Sequence, residues 1–332
     1  MPARSHLPDA GAHGVRRLLC EHIEDALSAL GGRRITDSEI HEARKALKKA
    51  RAALRLMRDA ISTACYRRED TALRVAARPL SAVRDARVMI DTLDHLEQRY
   101  GCAAKRAMSA AFRRDLARAQ AATRRSVTNG ATVQRQHVTA LRATRRRVMA
   151  WRIRDHGWRE IGRGLRRVYS RGRKAMKTAL KTPLPECLHA WRKQAKYLWH
   201  ELQTLEAMEP EAIGALAQRA QRLSDDLGDD HDLVVLGERV HALRSAFPGP
   251  DDAAALLALI DRSHRQLRKM AFLTGRRMYR EKPRVFAAAM GDYWHRWQEC
   301  ESRRCRASGK GCDGNGRRHG RGCPKHGHAH PS

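Results

Sequence analysis

The sequence predicts an all-α fold, and three features of the 332-residue chain support this prediction. Apolar residues recur at spacings of three and four along most of the chain, which is the period of an amphipathic helix. No segment longer than a few residues alternates apolar and polar side chains in the way that a half-buried strand does. Glycine and proline clusters interrupt the helical pattern at intervals, and these residues favour turns.

The helix around Ile40 is the clearest of the predicted elements. Thr36, Asp37 and Ser38 precede it and offer N-terminal caps. Its apolar stripe consists of Ile40, Ala43, Leu47, Ala50, Leu54, Met57 and Ile61. Similar patterns predict helices over residues 14–30, 69–99, 104–127, 131–154, 158–181, 186–208, 211–246 and 252–281. Turns are expected at Gly31-Gly32, Asn129-Gly130, Pro183–Pro185 and Phe247–Pro250, and Pro79 predicts a helix start or a kink.

Two segments of the chain recur at nearly the same offset. Ile40–Lys48 aligns with Leu188–Lys196 at an offset of 148 residues, and Leu80–Val88 aligns with Leu227–Val235 at 147. This agreement predicts an internal duplication, in which each copy has the size of a common domain. We expect a flexible N-terminus over residues 1–12, repeats over residues 13–155 and 156–300, and a disordered basic tail over residues 301–332.

The chain carries a large positive charge. It has 67 lysine and arginine residues against 36 aspartate and glutamate residues, for a formal net charge of +31. Such an excess predicts a polyanionic partner. Aromatic residues make up only 5% of the chain, which argues against rows of rings that stack on nucleobases. We therefore expect the partner to be recognised through its phosphates.

Part of this charge forms a basic stripe beside the apolar stripe of the helix around Ile40. The stripe consists of His41, Arg44, Lys45, Lys48, Arg51, Arg55 and Arg58. No acid falls between Arg44 and Arg58, and like charges one helical turn apart repel each other. A solvated basic face is the alternative interpretation. The same His, Arg, Lys and Lys positions recur after Leu188, which favours a binding face.

The motifs in both halves resemble those of a known family. The pattern H-x-x-R-K-x-x-K occurs at His41 and at His189, and R-D-A-R-V-M-I and L-G-D-D-H-D-L-V-V-L follow it in the first and second halves. Over residues 12–300 the chain resembles the CHAD domain, the conserved histidine α-helical domain. The resemblance implies two four-helix bundles related by a pseudo-two-fold axis, with basic helices facing a central groove or pore. It also implies binding of inorganic polyphosphate and association with polyphosphate granules.

The resemblance further implies a set of anion-binding residues. These are His41, Arg44, Lys45, Lys48, Lys49, Arg51 and Arg55 in the first half, and His189, Arg192, Lys193 and Lys196 in the second. The second half has Tyr197, Trp199, His200 and Gln203 where further basic residues are usual, so we expect it to contribute less charge. Two more basic stripes offer compensation: Arg163, Arg166, Lys174, Lys177 and Lys181, and Arg262, Arg265, Lys269, Arg276 and Arg280. Protonation of the two histidines by a bound anion predicts tighter binding below neutral pH.

An acidic cluster raises the possibility of metal chemistry. It consists of Asp225, Asp226, Asp229, Asp230, His231 and Asp232. A helical metal-dependent phosphohydrolase built on this cluster is one alternative function. The aligned pair in the first half, Arg84 and Asp85, shares only the aspartate. We therefore expect Asp85 and Asp232 to be buried acids that pair with basic side chains or cap a turn.

The cysteines do not predict a cofactor site. Cys20, Cys65, Cys102 and Cys187 are expected to be reduced and buried. The tail contains Cys300, Cys305, Cys312 and Cys323 together with His319, His326, His328 and His330. Their spacing differs from that of structural zinc sites, although the composition leaves weak zinc binding open.

The leading hypothesis is a non-catalytic polyphosphate-binding protein that needs no cofactor. The chain lacks the common phosphate-loop, nucleophile-elbow and zinc-protease motifs. A nonspecific nucleic-acid or nucleoid-associated binding protein is the other alternative. No apolar run suffices for a membrane helix and no signal region opens the sequence, so we expect a cytoplasmic protein, associated with granules, that makes no membrane contact. The sequence predicts no oligomeric state.

Overall fold

The computed structural model describes residues 11–32, 35–102, 104, 109–128, 131–153 and 157–307. Within these residues the chain is helical, with short connections and no strand, which confirms the predicted all-α class. None of the described helices combines the length and the apolar character that spanning a membrane requires. The rest of the predicted N-terminus and tail lies outside the described residues.

The described helices are numbered in chain order. They are α1 (Ala12–Leu30), α2 (Asp37–Leu56), α3 (Thr63–Tyr100), α4 (Ala110–Thr128), α5 (Ala131–Met149), α6 (Trp158–Lys181), α7 (Pro185–Leu205), α8 (Pro210–Ala242), α9 (Pro250–Met278) and α10 (Pro283–Ala307). Short 3-10 helices follow α2, α7 and α8 at Met57–Asp59, Glu206–Met208 and Arg244–Ala246. The starts of α2 and α7 are 148 residues apart, as in the sequence alignment. The internal duplication stays a prediction that this spacing supports.

Local sequence signals account for the start of α2 but not for the course of α3. At α2, the Thr36 side chain accepts from the Glu39 amide at 3.2 Å, and the Thr36 amide donates to the Glu39 carboxylate at 2.6 Å. This reciprocal capping box is the arrangement that the capping residues predict. By contrast, α3 begins after its cap Ser62 and continues through Pro79 to Tyr100. The helix therefore does not start at Pro79, and the alternative, a kink at this residue, stays a prediction.

A main apolar core holds both halves of the chain together. It takes buried side chains from α1 and α2 as well as from α6 and α7, including Leu47, Leu54, Leu165, Trp191 and Leu198. The predicted repeats therefore share this core, which continues across their boundary between residues 155 and 156. Packing of α2 against both α6 and α7 explains this continuity.

A second, smaller core joins the distal ends of α3, α4, α8 and α9. On α3, the buried residues of the main core end at Leu80, and those of the second core begin at Leu93. On α8 the corresponding limits are Leu227 and Leu233. In α8 the second copy of the second sequence motif, Leu227–Val235, therefore spans the transition from the main core to the second core.

Three details differ from the expectations. The helix α10 was not predicted, although Phe286, Met290 and Trp294 are buried at a helical spacing of four. It continues past residue 301, where the sequence places the start of the tail. Among the body cysteines only Cys20 is buried; Cys65 and Cys187 are half-buried and Cys102 is exposed.

Gly164 allows α6 to approach the end of α2 closely. A Cβ atom there would lie 2.8 Å from the Leu56 carbonyl oxygen, which belongs to the backbone and has little freedom to move. We expect Gly164→Ala to lower the free energy of unfolding by about 1–3 kcal/mol through overpacking. Gly237→Ala is the matched control, because its nearest neighbour would be 4.0 Å away and alanine favours helix. Urea denaturation measures both variants, and equal effects would contradict this account.

Candidate functional site

The two copies of the first basic motif meet where α2 packs against α7. The charges of Lys48 and Lys196 act on each other across this contact between helices, and the charges of Arg44 and Arg192 act on both lysines. We call Arg44, Lys48, Arg192 and Lys196 the central cluster. All four side chains are half-buried. The structure thus brings together residues from positions 44–48 and 192–196, which the sequence alignment pairs.

Burial and mutual repulsion lower the pKa of both lysines in the central cluster. Burial is the largest cause for Lys48, followed by the charges of Lys196 and Arg44, and together they lower its pKa to about 7. The pKa of Lys196 is lowered by burial first, then by Arg192 and Arg44. Near neutral pH the Lys48 amine is therefore only partly protonated, and the central cluster can take up a proton when an anion binds beside it.

The two arginines of the central cluster lie against the second sequence motif. Arg44 donates from Nη1 to the Leu80 carbonyl oxygen at 2.6 Å. The Arg192 guanidinium lies over Gly228, where a Cβ atom would be 3.4 Å from Nη2. Leu80 and Gly228 stand at the start of the aligned motif in each half. The hydrogen bond fixes the Arg44 guanidinium against α3, and the Arg192 guanidinium lies close to the backbone of α8.

The two predicted histidines occupy exposed positions one helical turn before the arginines. The ring of His189 lies 4.7 Å from that of His231 on α8, measured between centroids. Burial lowers the pKa of His189, and so do His231, Arg192 and Lys193. His189 is therefore protonated only at a pH below the ordinary pKa of histidine, unless a bound anion offsets these charges. His41 is exposed on α2.

The remaining predicted residues lie around the central cluster and not in it. Lys45 and Lys193 are exposed, and Lys45 is 3.6 Å from Glu42. Lys49 is half-buried, and its charge contributes to the lowered pKa of His22 on α1 after the larger effect of burial.

Arg51 and Arg55 have partners of their own. Arg51 donates from Nε and Nη2 to Asp70 at 3.1 and 3.0 Å. Arg55 places its guanidinium 3.5 Å from the centroid of the Tyr197 ring, a cation–π contact, and donates to the Arg51 carbonyl oxygen. The sequence spacing puts both arginines on the basic stripe, but contacts with α3 and α7 keep them out of the central cluster.

Aspartates of α8 lie beside the central cluster, which the sequence analysis did not predict. Burial raises the pKa of Asp225, while the charges of Lys196 and Arg192 act in the opposite direction. Asp229 lies on the same face one turn later, and the charge of Arg192 also acts to lower its pKa. For Asp226, burial and then the charges of Asp229 and Asp225 raise the pKa to about 6. In the sequence, the spacing of four residues between Asp225 and Asp229 was the available signal that both lie on one face of the helix.

The buried acid of this cluster is Asp230, where the sequence analysis expected Asp232. Asp230 Oδ1 accepts from Arg268 at 2.8 Å and lies 2.7 Å from His264 Nδ1, so α9 supplies its partners. Asp232 is half-buried. The side chain of Asp85 lies outside the described residues. In the described part of the chain, no three His, Cys, Asp or Glu side chains are grouped so as to hold a metal ion.

Comparison with known proteins is consistent with these observations. The sequence model of the CHAD domain matches residues 17–241 of the chain. Among solved structures, PptA from Streptomyces chartreusis is similar over 82% of this chain and 100% of its own, with 14% sequence identity and a TM-score of 0.57. At that identity the likeness shows a shared fold. A search of curated proteins found no match.

Proposed function

The chain belongs to the CHAD domain family, and from this membership and the central cluster we propose that it binds inorganic polyphosphate without cleaving it. The observation that carries the proposal is the convergence of Lys48 and Lys196, together with Arg44 and Arg192, at half-buried positions where their charges act on one another. Placing four basic side chains together at half-buried positions costs free energy through desolvation and repulsion. The attraction of a bound polyanion offsets both costs.

Polyphosphate suits the geometry of the central cluster. The polymer presents phosphoryl oxygens at every unit and has no bases to be read. The planar guanidinium group of arginine can bind two phosphate oxygens at once, and lysine supplies a point charge. Charge-assisted hydrogen bonds of this kind are short and strong. Arg44 is already positioned by its hydrogen bond to the Leu80 carbonyl oxygen, so this side chain loses little conformational entropy when it binds.

The proposal extends to the place of the protein in the cell. A cytoplasmic protein that binds polyphosphate through an open cluster of cations is suited to associate with polyphosphate granules. Colocalisation of the labelled chain with granules, and its loss in a strain that makes no polyphosphate, provides the corresponding test.

Nucleic acid is the competing polyanion, and competition distinguishes the two partners. We expect long-chain polyphosphate to displace a labelled DNA duplex from the full chain at a lower phosphate-equivalent concentration than unlabelled DNA of matched length. The reason is that DNA binding rests on general charge, whereas polyphosphate is expected to enter the central cluster as well. Fluorescence anisotropy measures the displacement. Stronger displacement by DNA would contradict the proposal.

Absence of catalysis is tested in the same samples. Incubation of the chain with polyphosphate and either Mg²⁺ or Mn²⁺ is expected to release no phosphate above the rate without protein. Sustained release would favour the alternative in which the cluster from Asp225 to Asp232 serves a metal-dependent phosphohydrolase.

A further inference from the structure

A second basic surface lies between α6 and the segment that leads into α10. It is a groove with a volume of about 1000 Å³, and none of its lining residues belongs to the central cluster. One wall is the outer face of α6, with Arg163, Arg166 and Arg171. The other wall includes Lys282 and Arg284 at the start of α10. We call these five residues the groove cations.

The groove has far more positive than negative charge. Arg167 and Arg173 also line it, but both have partners: Arg167 binds both oxygens of Asp59 at 2.7 and 2.8 Å, and Arg173 donates to the Tyr279 carbonyl oxygen at 3.1 Å. Asp59 is the acid in the lining. The groove cations are exposed, and in the described ranges none of the three on α6, nor Lys282 or Arg284, forms an ion pair. Their repulsion is therefore not offset within this part of the protein.

Hydrogen bonds fix the shape of the groove. Tyr169 is buried beneath it and donates its hydroxyl to the carbonyl oxygens of Met278 and Glu281 at 3.2 and 3.1 Å. The same ring stacks on Phe286 of α10 with a centroid distance of 4.0 Å. These contacts tie the segment before α10 to α6. A ligand that enters the groove meets walls that are already in place, which lowers the entropic cost of binding.

We propose that this groove is a second anion site, which binds a short oligophosphate such as tripolyphosphate. Four of the five groove cations are arginines, whose planar forks match phosphate oxygens. The first residues of the 25-residue helix α10, Pro283 to Val285, also line the groove, so the positive end of this helix lies at its wall and adds to the attraction for anions. The lining contains no aromatic side chain on which a nucleobase would stack. The site therefore recognises phosphate groups and not bases.

The test separates this groove from the central cluster. The starting protein is the full chain with Lys48→Met and Lys196→Met, which removes both lysines of the central cluster. Arg166→Glu, Arg171→Glu and Arg284→Glu are added to it as the groove variant. The matched control adds Arg114→Glu, Arg125→Glu and Arg277→Glu, which are exposed arginines outside the groove and the basic stripes, with the same change in net charge.

Calorimetric titration with tripolyphosphate gives the result. We expect the starting protein and the control to bind about one tripolyphosphate, and the groove variant to bind at least about tenfold more weakly, because it loses several charge-assisted bonds. Tyr169→Phe keeps every charge but loosens the segment before α10, and is expected to weaken binding severalfold. Equal binding by the groove variant and the control, or no binding by the starting protein, would overturn the proposal. Displacement of tripolyphosphate by hexaglutamate at equal concentration would also overturn it, in favour of an acidic peptide.

Discussion

Replacement of both Lys48 and Lys196 by methionine is expected to weaken the binding of long-chain polyphosphate by roughly 100-fold or more, because each charge-assisted hydrogen bond contributes about 1.5–3 kcal/mol. The matched control is Arg125→Met with Arg277→Met, which removes two exposed arginines outside the basic stripes and changes the net charge equally. We expect the affinity of the control for polyphosphate to fall only a few-fold, because the overall electrostatic attraction of the protein for anions becomes weaker. Filter binding or calorimetry at fixed salt measures both.

The same double substitution is expected to stabilise the unbound protein. Methionine has a similar length and no charge, so it relieves the burial and repulsion that lower the pKa of both lysines. Replacing buried charges with packed apolar side chains stabilises other proteins by about 1–4 kcal/mol. Thermal unfolding of the unbound variant is therefore expected at a higher temperature than for the parent chain. A lower unfolding temperature, or binding equal to that of the control, would contradict the assigned role of the central cluster.

The second large effect is uptake of a proton when polyphosphate binds above neutral pH. In the unbound protein the pKa of Lys48 is about 7, so its amine is largely neutral at pH 8.5. A polyanion beside it favours the ammonium form and raises the pKa again. We expect about one proton to be taken up per central cluster at pH 8.5, and almost none with Lys48→Met. Titration in two buffers with different ionisation enthalpies measures the uptake.

The lowered pKa of Lys48 also sets how stability depends on pH. Between pH 7 and the ordinary lysine value of 10.5, the unfolded chain holds a proton that Lys48 in the folded chain has lost. Stability therefore rises with pH through this window, by up to about 1.4 kcal/mol per unit, and the contribution is constant below it. The lowered pKa of Lys196 acts on stability in the same direction, while the charge of Asp225 raises the pKa of Lys196 and so reduces this effect.

Proton uptake that persists unchanged in Lys48→Met, or is absent in the parent chain, would contradict the assignment of the proton to Lys48.

Periodicity carried most of the fold prediction, because each helix buries one continuous stripe. The stripe from Ile40 to Met57 is buried along α2 as the spacing indicates. The family resemblance is likewise confirmed, since the CHAD match spans both copies of the first motif. The shared core was not predicted, because periodicity within one helix does not reveal its partner.

The site was predicted less completely, for a physical reason. Spacing places Arg44, Lys48, Arg51 and Arg55 on one face of α2, but it does not show what each side chain meets. Asp70 and Tyr197 come from other helices and engage Arg51 and Arg55. Only tertiary packing of α2 against α7 identifies Lys48 as the partner of Lys196. The role of the remaining predicted residues in polyphosphate binding stays a prediction.

The central claim is that the chain binds polyphosphate through clustered cations. Titration of the full chain with long-chain polyphosphate at several salt concentrations tests it most directly. We expect tight binding at low salt and an affinity that falls linearly with salt on logarithmic axes, with a slope of at least about 3 for the four cations of the central cluster, by analogy with other single-stranded phosphate polymers. No binding at low salt, or an affinity that does not change with salt, would contradict the claim.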